Sequence, residues 1–400
     1  MKLVRTFSKR ESRSHGARSH TSSGGLGALV EPVERRLLFA LFVVTTTADS
    51  GPGSFRQAIT DANASLNDPF DPDTIVFNIP GTGVHTITPL SPLPAITDPV
   101  TIDASGPDGV TPSVELDGSL AGAGADGLEF ASTDSIFASF VTGFYINSFS
   151  GNGIHITGNS NGVGLNYIGL DPSGAAAGNG GAGILIESSN NFASDNVIAF
   201  NGGDGITVAS GRGNDVAVNN IYSNGDLGID LGNDGVTPND ALDPDGGAND
   251  LQNFPVLDKP TLAATGGVLV TGTLNSTPNT DFDIAFYTSP TADGEGQTFR
   301  DHISVRTDAS GNATFAVTLA GATENDFVTA TATSLVFTSD FLLLNTSEFS
   351  APVTAAVTPP PGDANHGHGN DDDHLDEDNP GQGVLHGHHG HGLRELLGLT

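Results

Sequence analysis

The chain has 400 residues, which allows two or three domains, and it contains 53 glycines and no cysteine. Abundant glycine with 36% hydrophobic content favours a turn-rich β protein, and the lack of cysteine excludes disulfides, thiolate nucleophiles and thiolate metal sites. Residues 1–36 hold 8 of the 14 Lys and Arg residues and 3 of the 47 acidic residues, so they carry +5 and the remainder carries −38. The strongly negative charge of residues 37–400 repels nucleic acid, which excludes it as a partner, and attracts cations.

The N-terminal segment 1–42 is basic and rich in Ser and Gly, which predicts a disordered or targeting sequence. Residues 30–40 resemble the LEPR-x-LL segment near the start of many planctomycete surface and secreted proteins, although Val33 and Glu34 depart from it. The resemblance implies a secreted or cell-surface bacterial protein. The apolar run Leu37–Val44 has only eight residues, too few to span a bilayer, and is either part of an export signal or the first strand.

A short helix is predicted over residues 54–64. Ser54 followed by Gln57 has capping-box spacing, and the residues after Ser54 form one apolar stripe at Phe55, Ala58, Ile59 and Ala62. This stretch resembles the S-L-R-Q-A-I-x-x-A-N segment that opens many bacterial surface β-helix proteins, with Phe55 in place of leucine. We expect the helix to cover the N-terminal end of a stacked β domain, whose first coil would otherwise expose its core.

Residues 127–231 carry an internal repeat. A glycine followed by an apolar–any–apolar triplet recurs at Gly127–Phe130, Gly153–Ile156, Gly183–Ile186, Gly205–Val208 and Gly228–Leu231. The spacings of 26, 30, 22 and 23 residues suit one coil of a parallel β-solenoid. The longest spacing contains Asp171–Asn179, an insertion of about eight residues that we expect to leave one coil as a loop.

Strand geometry predicts which of these side chains face inward. The first and third residues of a triplet point the same way, which predicts an interior column of Ile154 and Ile156, Ile184 and Ile186, Ile206 and Val208. The middle residues His155, Leu185 and Thr207 are expected to face outward. Asparagines that tolerate left-handed backbone recur in register and predict stacked amide ladders: Asn161, Asn191 and Asn214; Asn166, Asn196 and Asn219; Asn201 and Asn224.

With these columns the region resembles the right-handed parallel β-helix proteins of the pectate-lyase-like superfold. The resemblance implies an all-β domain over residues 43–257, with the capping helix at 54–64 as its first element. Such a likeness is good evidence for architecture and poor evidence for chemistry, because one superfold hosts many unrelated functions.

Residues 258–357 have a different pattern, in which period-two strands such as Gly267–Leu274 and Asp281–Tyr287 alternate with turns. Strands at this spacing predict a β-sandwich of about 100 residues. The stretch resembles the immunoglobulin-like module that often follows such β-helices, and Asn345–Ser350 resembles its closing segment.

The tail 358–400 is predicted to be disordered, since it mixes Gly, Asp and His and has too few apolar residues to form a core. Seven of the chain's 12 histidines lie there: His366, His368, His374, His386, His388, His389 and His391. Their irregular spacing predicts weak binding of zinc, nickel or copper. A solvated spacer is the alternative.

An Asp-rich stretch follows the last repeat and is the candidate calcium site. Calcium takes six to eight oxygen ligands, which clustered carboxylates on a glycine-rich loop supply. The candidate ligands are Asp230, Asp234, Asp240, Asp243, Asp245 and Asp250. The alternative is a solvated turn region that ends the repeat.

The pectate-lyase-like resemblance also implies polysaccharide cleavage, which needs paired carboxylates or a strong base. Glu129 and Asp230 share the outward column four coils, about 19 Å, apart, which exceeds the ~5–9.5 Å between the paired carboxyl groups of glycosidases. A closer pair is Asp204 with Asp226 on neighbouring coils, and Arg212 is the one basic residue between Arg56 and Lys259. These three residues are therefore the candidate catalytic set.

Tyr145 and Tyr167 share an outward column on adjacent coils and are the candidate sugar-stacking residues, with surface packing as the alternative. Together these features predict a secreted or cell-surface structural or adhesive protein. Its expected partner is an extracellular polysaccharide or another cell-surface component, with calcium as the expected stabilising ion and no membrane span. The alternative is a carbohydrate-active enzyme, either a polysaccharide lyase or a glycoside hydrolase.

Overall fold

The computed structural model describes residues 40–65, 67, 72–132, 139–264, 266–337 and 342–355. These residues form mostly strands together with one α-helix, α1 (Phe55–Ala64), which confirms the predicted all-β class. In the described part of the chain, no helix combines the length and the apolar character that crossing a bilayer requires. Residues 1–39 and the predicted tail with its seven histidines lie outside the described residues.

Short strands make up the N-terminal part. They are β1 (Leu41–Val44), β2 (Asp73–Phe77), β3 (His85–Ile87), β4 (Val100–Asp103), β5 (Val114–Asp117), β6 (Leu128–Phe130), β7 (Phe140–Thr142), β8 (Phe144–Asn147), β9 (Ile154–Ile156), β10 (Gly162–Gly164), β11 (Tyr167–Ile168), β12 (Ile184–Ile186), β13 (Phe192–Ser194), β14 (Val197–Ala199), β15 (Ile206–Val208), β16 (Asn220–Tyr222) and β17 (Ile229–Leu231). One 3₁₀ turn, Gly118–Leu120, follows β5. We call residues 41–231 the parallel-strand region.

Three parallel sheets build this region. The first has the order β1-β2-β4-β7-β10-β13, the second β3-β5-β8-β11-β14-β16 and the third β6-β9-β12-β15-β17. From β4 to β15, successive strands visit the first, second and third sheets in the same order, and the last two strands, β16 and β17, add to the second and third sheets. We call one passage through the three sheets a coil, and the last coil comprises residues 214–231.

Like residues lie on like residues in the interior. Ile184 pairs with Ile154 on one side and Ile206 on the other, and Ile186 pairs with Ile156 and Val208. All six side chains have no exposed surface. Since burying each such side chain contributes about 1.5–3 kcal/mol, the column is a main source of stability for the region.

Three asparagine ladders run beside the sheets. Their rungs are Asn161, Asn191 and Asn214 in the first; Asn166, Asn196 and Asn219 in the second; Asn179, Asn201 and Asn224 in the third. Each rung's Oδ1 accepts the backbone N–H of the rung before it, as Asn191 does from Asn161 at 2.8 Å. The predicted ladders are therefore present, and the third gains Asn179 as an additional rung.

Helix α1 packs against the start of the parallel-strand region. Its N-terminus is capped by Ser54, whose Oγ accepts the N–H of Gln57 at 3.2 Å. The buried side chains are the four of the predicted stripe. The Phe55 ring lies 5.2 Å from Phe77 and 5.7 Å from Phe144, so the helix joins the interior of the first coils.

The C-terminal part is antiparallel, and we call it the antiparallel unit. Its strands are β18 (Val256–Leu257), β19 (Thr261–Leu262), β20 (Val268–Asn275), β21 (Asp281–Ser289), β22 (Thr298–Arg306), β23 (Asn312–Leu319), β24 (Phe327–Phe337), β25 (Leu342–Thr346) and β26 (Val353–Thr354). One sheet has the order β18-β20-β19 with β23 also on β20, and the other has β22-β21-β24-β25 with β26 also on β24. Side chains of both sheets, including Val270, Phe282 and Phe315, form one buried cluster. A linker joins the unit to β17, and its turn at Ala248–Leu251 has left-handed backbone at Asn249 and Asp250.

Candidate functional site

The candidate catalytic carboxylate Asp204 is buried between two coils. Its Oδ2 accepts the hydroxyl of Thr207 at 2.6 Å and its Oδ1 accepts the N–H of Leu227 at 2.9 Å. Burial raises the pKa of Asp204, and the negative charges of Asp230 and Asp226 raise it further. Thr207 was expected to face solvent, but it is buried. Its hydroxyl is hydrogen-bonded to Asp204 and not to water.

Arg212 lies in different surroundings from Asp204. Arg212 is exposed, and it lines a cavity of about 270 Å³ together with Asp243 and Asp250 at the boundary with the antiparallel unit. Asp226 is exposed and lies near Asp204. The structure thus places Asp226 near Asp204, whereas Arg212 lines a cavity with other acidic residues.

The candidate stacking residues Tyr145 and Tyr167 are directly paired across β8 and β11. Their rings are 5.1 Å apart with an interplanar angle of 41°, and both residues are half-buried. Phe200 and Tyr222 form a second contact on this side, with ring centres 5.6 Å apart. Burial raises the pKa of Tyr145 and of Tyr222, and in each case the neighbouring Tyr167 adds to the effect.

These four aromatic residues are named the tyrosine strip: Tyr145, Tyr167, Phe200 and Tyr222. Only Tyr145 and Tyr167 were predictable from the repeat, because Val197 and Asn220 continue their column and Phe200 and Tyr222 lie outside it. Exposed edges of rings held on rigid strands can stack against the apolar faces of sugar rings. The strip therefore offers a surface for a neutral, ring-containing ligand.

Three of the six predicted calcium ligands form a compact cluster. One carboxylate oxygen from each of Asp240, Asp243 and Asp245 lies within 4.8 Å of the others. Half-buried Asp243 accepts hydrogen bonds from the Gln252 amide at 2.8 Å and from the Ser276 hydroxyl. Burial raises the pKa of Asp243 to about 6, with the charges of Asp245 and Asp240 adding to the shift. A divalent cation would relieve this repulsion and finds the oxygen ligands it prefers.

Of the other three predicted ligands, Asp250 lines the same cavity as Asp243, while Asp230 and Asp234 lie in a separate turn. Asp230 is buried and accepts the N–H groups of Asp234 at 3.3 Å and of Gly235 at 3.0 Å, so it closes a local turn. Asp234 itself is exposed. Asp250 accepts the side-chain amide of Asn345 at 2.9 Å, which ties the linker to the antiparallel unit. The predicted six-residue site is thus divided by the folding of the loop.

One ion-pair network was not found by the sequence analysis. The His155 ring lies between two carboxylates, with Nδ1 3.2 Å from Asp126 and Nε2 2.9 Å from Glu187. Hydrogen bonds to Asp126 and to Glu187 raise the pKa of His155 to about 9. Burial lowers this pKa, but its effect is smaller than that of the two carboxylates. With both ring nitrogens occupied, His155 acts as a charged link between three coils.

Comparison with known proteins assigns no family to the chain. No protein-family model matches the sequence, and a search of curated proteins finds no significant match. A function can therefore be proposed only from the residues and contacts described above.

Proposed function

We propose that the parallel-strand region is a right-handed parallel β-helix of the pectate-lyase-like type and that the antiparallel unit is an immunoglobulin-like β-sandwich. The constant order in which strands β4 to β15 visit the three sheets supports the first part. Two antiparallel sheets around one buried cluster support the second. The resemblance of residues 30–40 to planctomycete surface proteins supports secretion or display at the cell surface.

In this proposal the protein is a structural or adhesive module that binds an extracellular polysaccharide or another glycan-bearing cell-surface component. The observation that carries the proposal is the tyrosine strip on a stack of strands held in register. A net charge of −33 repels polyanions, so a neutral glycan is the favoured partner. Aromatic rings that are half-buried on paired strands fit binding better than bond cleavage.

Glycan binding is tested by screening the purified chain against a panel of neutral and acidic polysaccharides. We expect binding to a neutral glycan that Tyr167→Ala weakens by about 10-fold or more, since one aromatic stacking contact contributes about 0.5–1.5 kcal/mol beyond its buried area. Phe337→Ala is the matched control, because Phe337 is an exposed aromatic residue of the antiparallel unit, 77% accessible. Binding that survives Tyr167→Ala, or that both variants weaken equally, contradicts the proposal.

Calcium is proposed to stabilise the linker through Asp240, Asp243 and Asp245. Their oxygens would be the ligands, and the ion would offset the repulsion among the three carboxylates, which adds to the effect of burial on the pKa of Asp243. We expect calcium to raise the melting temperature of the chain, and Asp240→Asn to remove most of this rise. Asp234→Asn is the matched control, since Asp234 lies outside the cluster. An equal response of both variants to calcium would refute the site.

A carbohydrate-active enzyme is the second candidate. The observation that favours it is the buried carboxyl of Asp204, whose raised pKa and acidic neighbours suit a general acid. The separate position of Arg212 argues against a lyase. Release of reducing or unsaturated sugars from polysaccharides, abolished by Asp204→Asn, would establish an enzyme. No release from any substrate of the panel would leave binding as the function.

A further inference from the structure

The end of a stack of parallel strands has a chemical problem. The last strand of each sheet has backbone N–H and C=O groups with no next strand to pair with, and the interior is open on that side. Such an edge is a template for another chain. The backbone N–H and C=O groups of the last coil of the parallel-strand region therefore need other partners.

Groups of the antiparallel unit accept hydrogen bonds from the last coil at three places. Val216 N–H, beside the first sheet, donates to the hydroxyl of Thr346 at 3.1 Å. At the second sheet, Ile221 N–H donates to the carbonyl of Gly296 at 2.9 Å. In the third, Leu231 N–H donates to Oε1 of Glu348 at 3.1 Å. The last strands of the second and third sheets therefore end on acceptors from the antiparallel unit, and Val216, which follows the bridge of Asp215 to the first sheet, does so as well.

Two asparagine ladders continue beyond the last coil in the same geometry. Asn214 N–H donates to Oδ1 of Asn249, a buried linker residue, at 3.0 Å. Asn224 donates its backbone N–H and its amide to Oε1 of Glu295 at 3.2 and 2.9 Å. Asn201 makes the same two bonds to Asn224, at 3.1 and 2.9 Å. Glu295 thus occupies the position of a further rung.

At the glycines that begin the repeated triplets, residues of the antiparallel unit likewise take the place of a next coil. The Cα of Gly205 faces a methyl group of Ile221 and the amide of Asn224, both from the next coil. Gly183 faces Ile198 and Asn201 in the same way. At the last coil, Gly228 instead faces the Phe349 ring and the Glu295 side chain. Phe349 and Glu295 therefore stand where an isoleucine and an asparagine of one more coil would lie.

The hydrophobic interior is continuous across this boundary. Tyr287 and Phe349 belong to the same buried cluster as the isoleucine column, and their rings are 5.1 Å apart. The Tyr287 hydroxyl also accepts the N–H of Val218 at 2.8 Å. Apolar contact and backbone pairing are thus supplied together, as they are between ordinary coils.

We propose that the antiparallel unit acts as the closing coil of the parallel-strand region: its residues Glu295, Thr346, Glu348 and Phe349 occupy the positions of a next coil and prevent a second copy of the chain from pairing there. The unit then has a task in the folding and solubility of the whole protein. This assignment is independent of any ligand that the tyrosine strip binds.

Hydrogen–deuterium exchange of the full chain tests the proposal through Glu295→Ala and Phe349→Ala. We expect amide exchange in β16 and β17 to accelerate about 10-fold or more, because buried donors lose their acceptor or their cover. Exchange in β9, several coils away, should stay unchanged. Light scattering should show dimers that increase with protein concentration.

Two further variants keep the test decisive. Glu295→Gln retains an oxygen acceptor for Asn224 and should behave like the wild type, and Glu324→Ala changes a glutamate of the same unit outside the boundary. If Glu295→Ala fails to fold while Glu295→Gln and Glu324→Ala fold, the closing role is supported. Unchanged exchange in β16 and β17, or exchange that accelerates evenly along the region, would overturn it. Variants that remain monomeric at every concentration would overturn the proposed block to pairing.

The wild-type chain offers an independent check. Calorimetry should show the parallel-strand region and the antiparallel unit unfolding in one cooperative transition, since they share a core and backbone pairing. Two separate transitions would contradict the proposal.

Discussion

Left-handed backbone at large residues marks the turn beside the second asparagine ladder. Leu165, Asp195 and Val218 each have φ of 58° and each directly precede a rung. Such a conformation costs about 1–3 kcal/mol for a residue with a side chain. Asparagine itself was expected to adopt this left-handed conformation, whereas in the structure the residue before each asparagine adopts it. The asparagine is needed for its hydrogen bonds, which hold the strained turn in place.

Loss of a ladder rung should be costly for this reason. Asn191→Ala removes the acceptor for Asn161 N–H and leaves a buried donor without a partner, which predicts a loss of about 2–4 kcal/mol of unfolding free energy. Urea unfolding measures it. Asn325→Ala, at an exposed residue, should change stability by less than about 0.5 kcal/mol. Equal effects of the two changes would show that the ladder contributes nothing.

The His155 network makes stability depend on pH. Its folded pKa of about 9 exceeds the ordinary value of 6.5, so its contribution is complete below pH 6.5 and is lost as the pH rises through about 9. We expect the wild type to exceed His155→Gln by an amount of the order of 1–3 kcal/mol at pH 6. Denaturant unfolding of both proteins from pH 6 to 9.5 measures this difference. A difference that does not change over this range would contradict the ion-pair role.

Sequence periodicity predicts residues that repeat and misses residues that do not. The asparagines at 161, 191 and 214 recur in register, whereas Asn179 stands after the insertion and loses the common spacing. The partners of His155 come from two other coils, 29 and 32 residues away, and no repeat unit contains all three. A column of charged residues across coils would have been the signal for this network.

At the scale of the strand, the triplet repeat separates interior from surface within three residues. Ile186 has no exposed surface, and its neighbour Leu185 is half-buried on the other side of β12. Alternation along a strand explains this difference. The repeat therefore predicted this part of the fold, because burial forces the same residue type onto each coil.

The two positions provide a matched pair for measurement. Ile186→Ala should lower the unfolding free energy by about 2–5 kcal/mol, since the removed atoms leave a cavity between Ile156 and Val208. Leu185→Ala should cost clearly less, because its surroundings are partly water. Thermal or urea unfolding of both variants gives the comparison. A larger loss at Leu185 would reverse the assigned orientation of β12.

The Asp-rich loop was predicted less well than the strands. Composition identified its acidic residues, but only contacts decide which of them meet. Asp230 is held by the turn at Gly235, whereas Asp250 lines the same cavity as Asp243 but has its carboxylate bonded to Asn345. A loop has no period from which such partners could be derived.

At the scale of the whole molecule, buried carboxyl groups lie where the two parts meet. Glu348 is 2% exposed and accepts the N–H groups of Leu231 and Thr237. Burial raises the pKa of Glu348 to about 7, and the charge of Asp230 adds to the shift. The sequence gives no sign of this contact, since Glu348 lies 117 residues after Leu231.

The boundary should therefore weaken as the pH rises. The raised pKa of Glu348 contributes stability that is complete below its ordinary value of 4.5 and is lost as the pH rises through about 7. Relative to Glu348→Gln, which does not titrate, the wild type should lose stability of the order of 1–3 kcal/mol between pH 4.5 and 7.5. Unfolding measured at several pH values gives this difference. Parallel curves for the two proteins would show that Glu348 keeps an ordinary pKa.

The loop at Asp171–Asn179 leaves one coil and returns without disturbing its neighbours. Asp171 Oδ1 accepts the N–H groups of Ser173 and Ala175, and Asn179 rejoins the third ladder. The register of the paired strands in a coil is thus independent of the length of the loop that leaves the coil. New segments can be added at such a corner while the strands above and below stay paired, so related chains can acquire different outer surfaces on one unchanged scaffold.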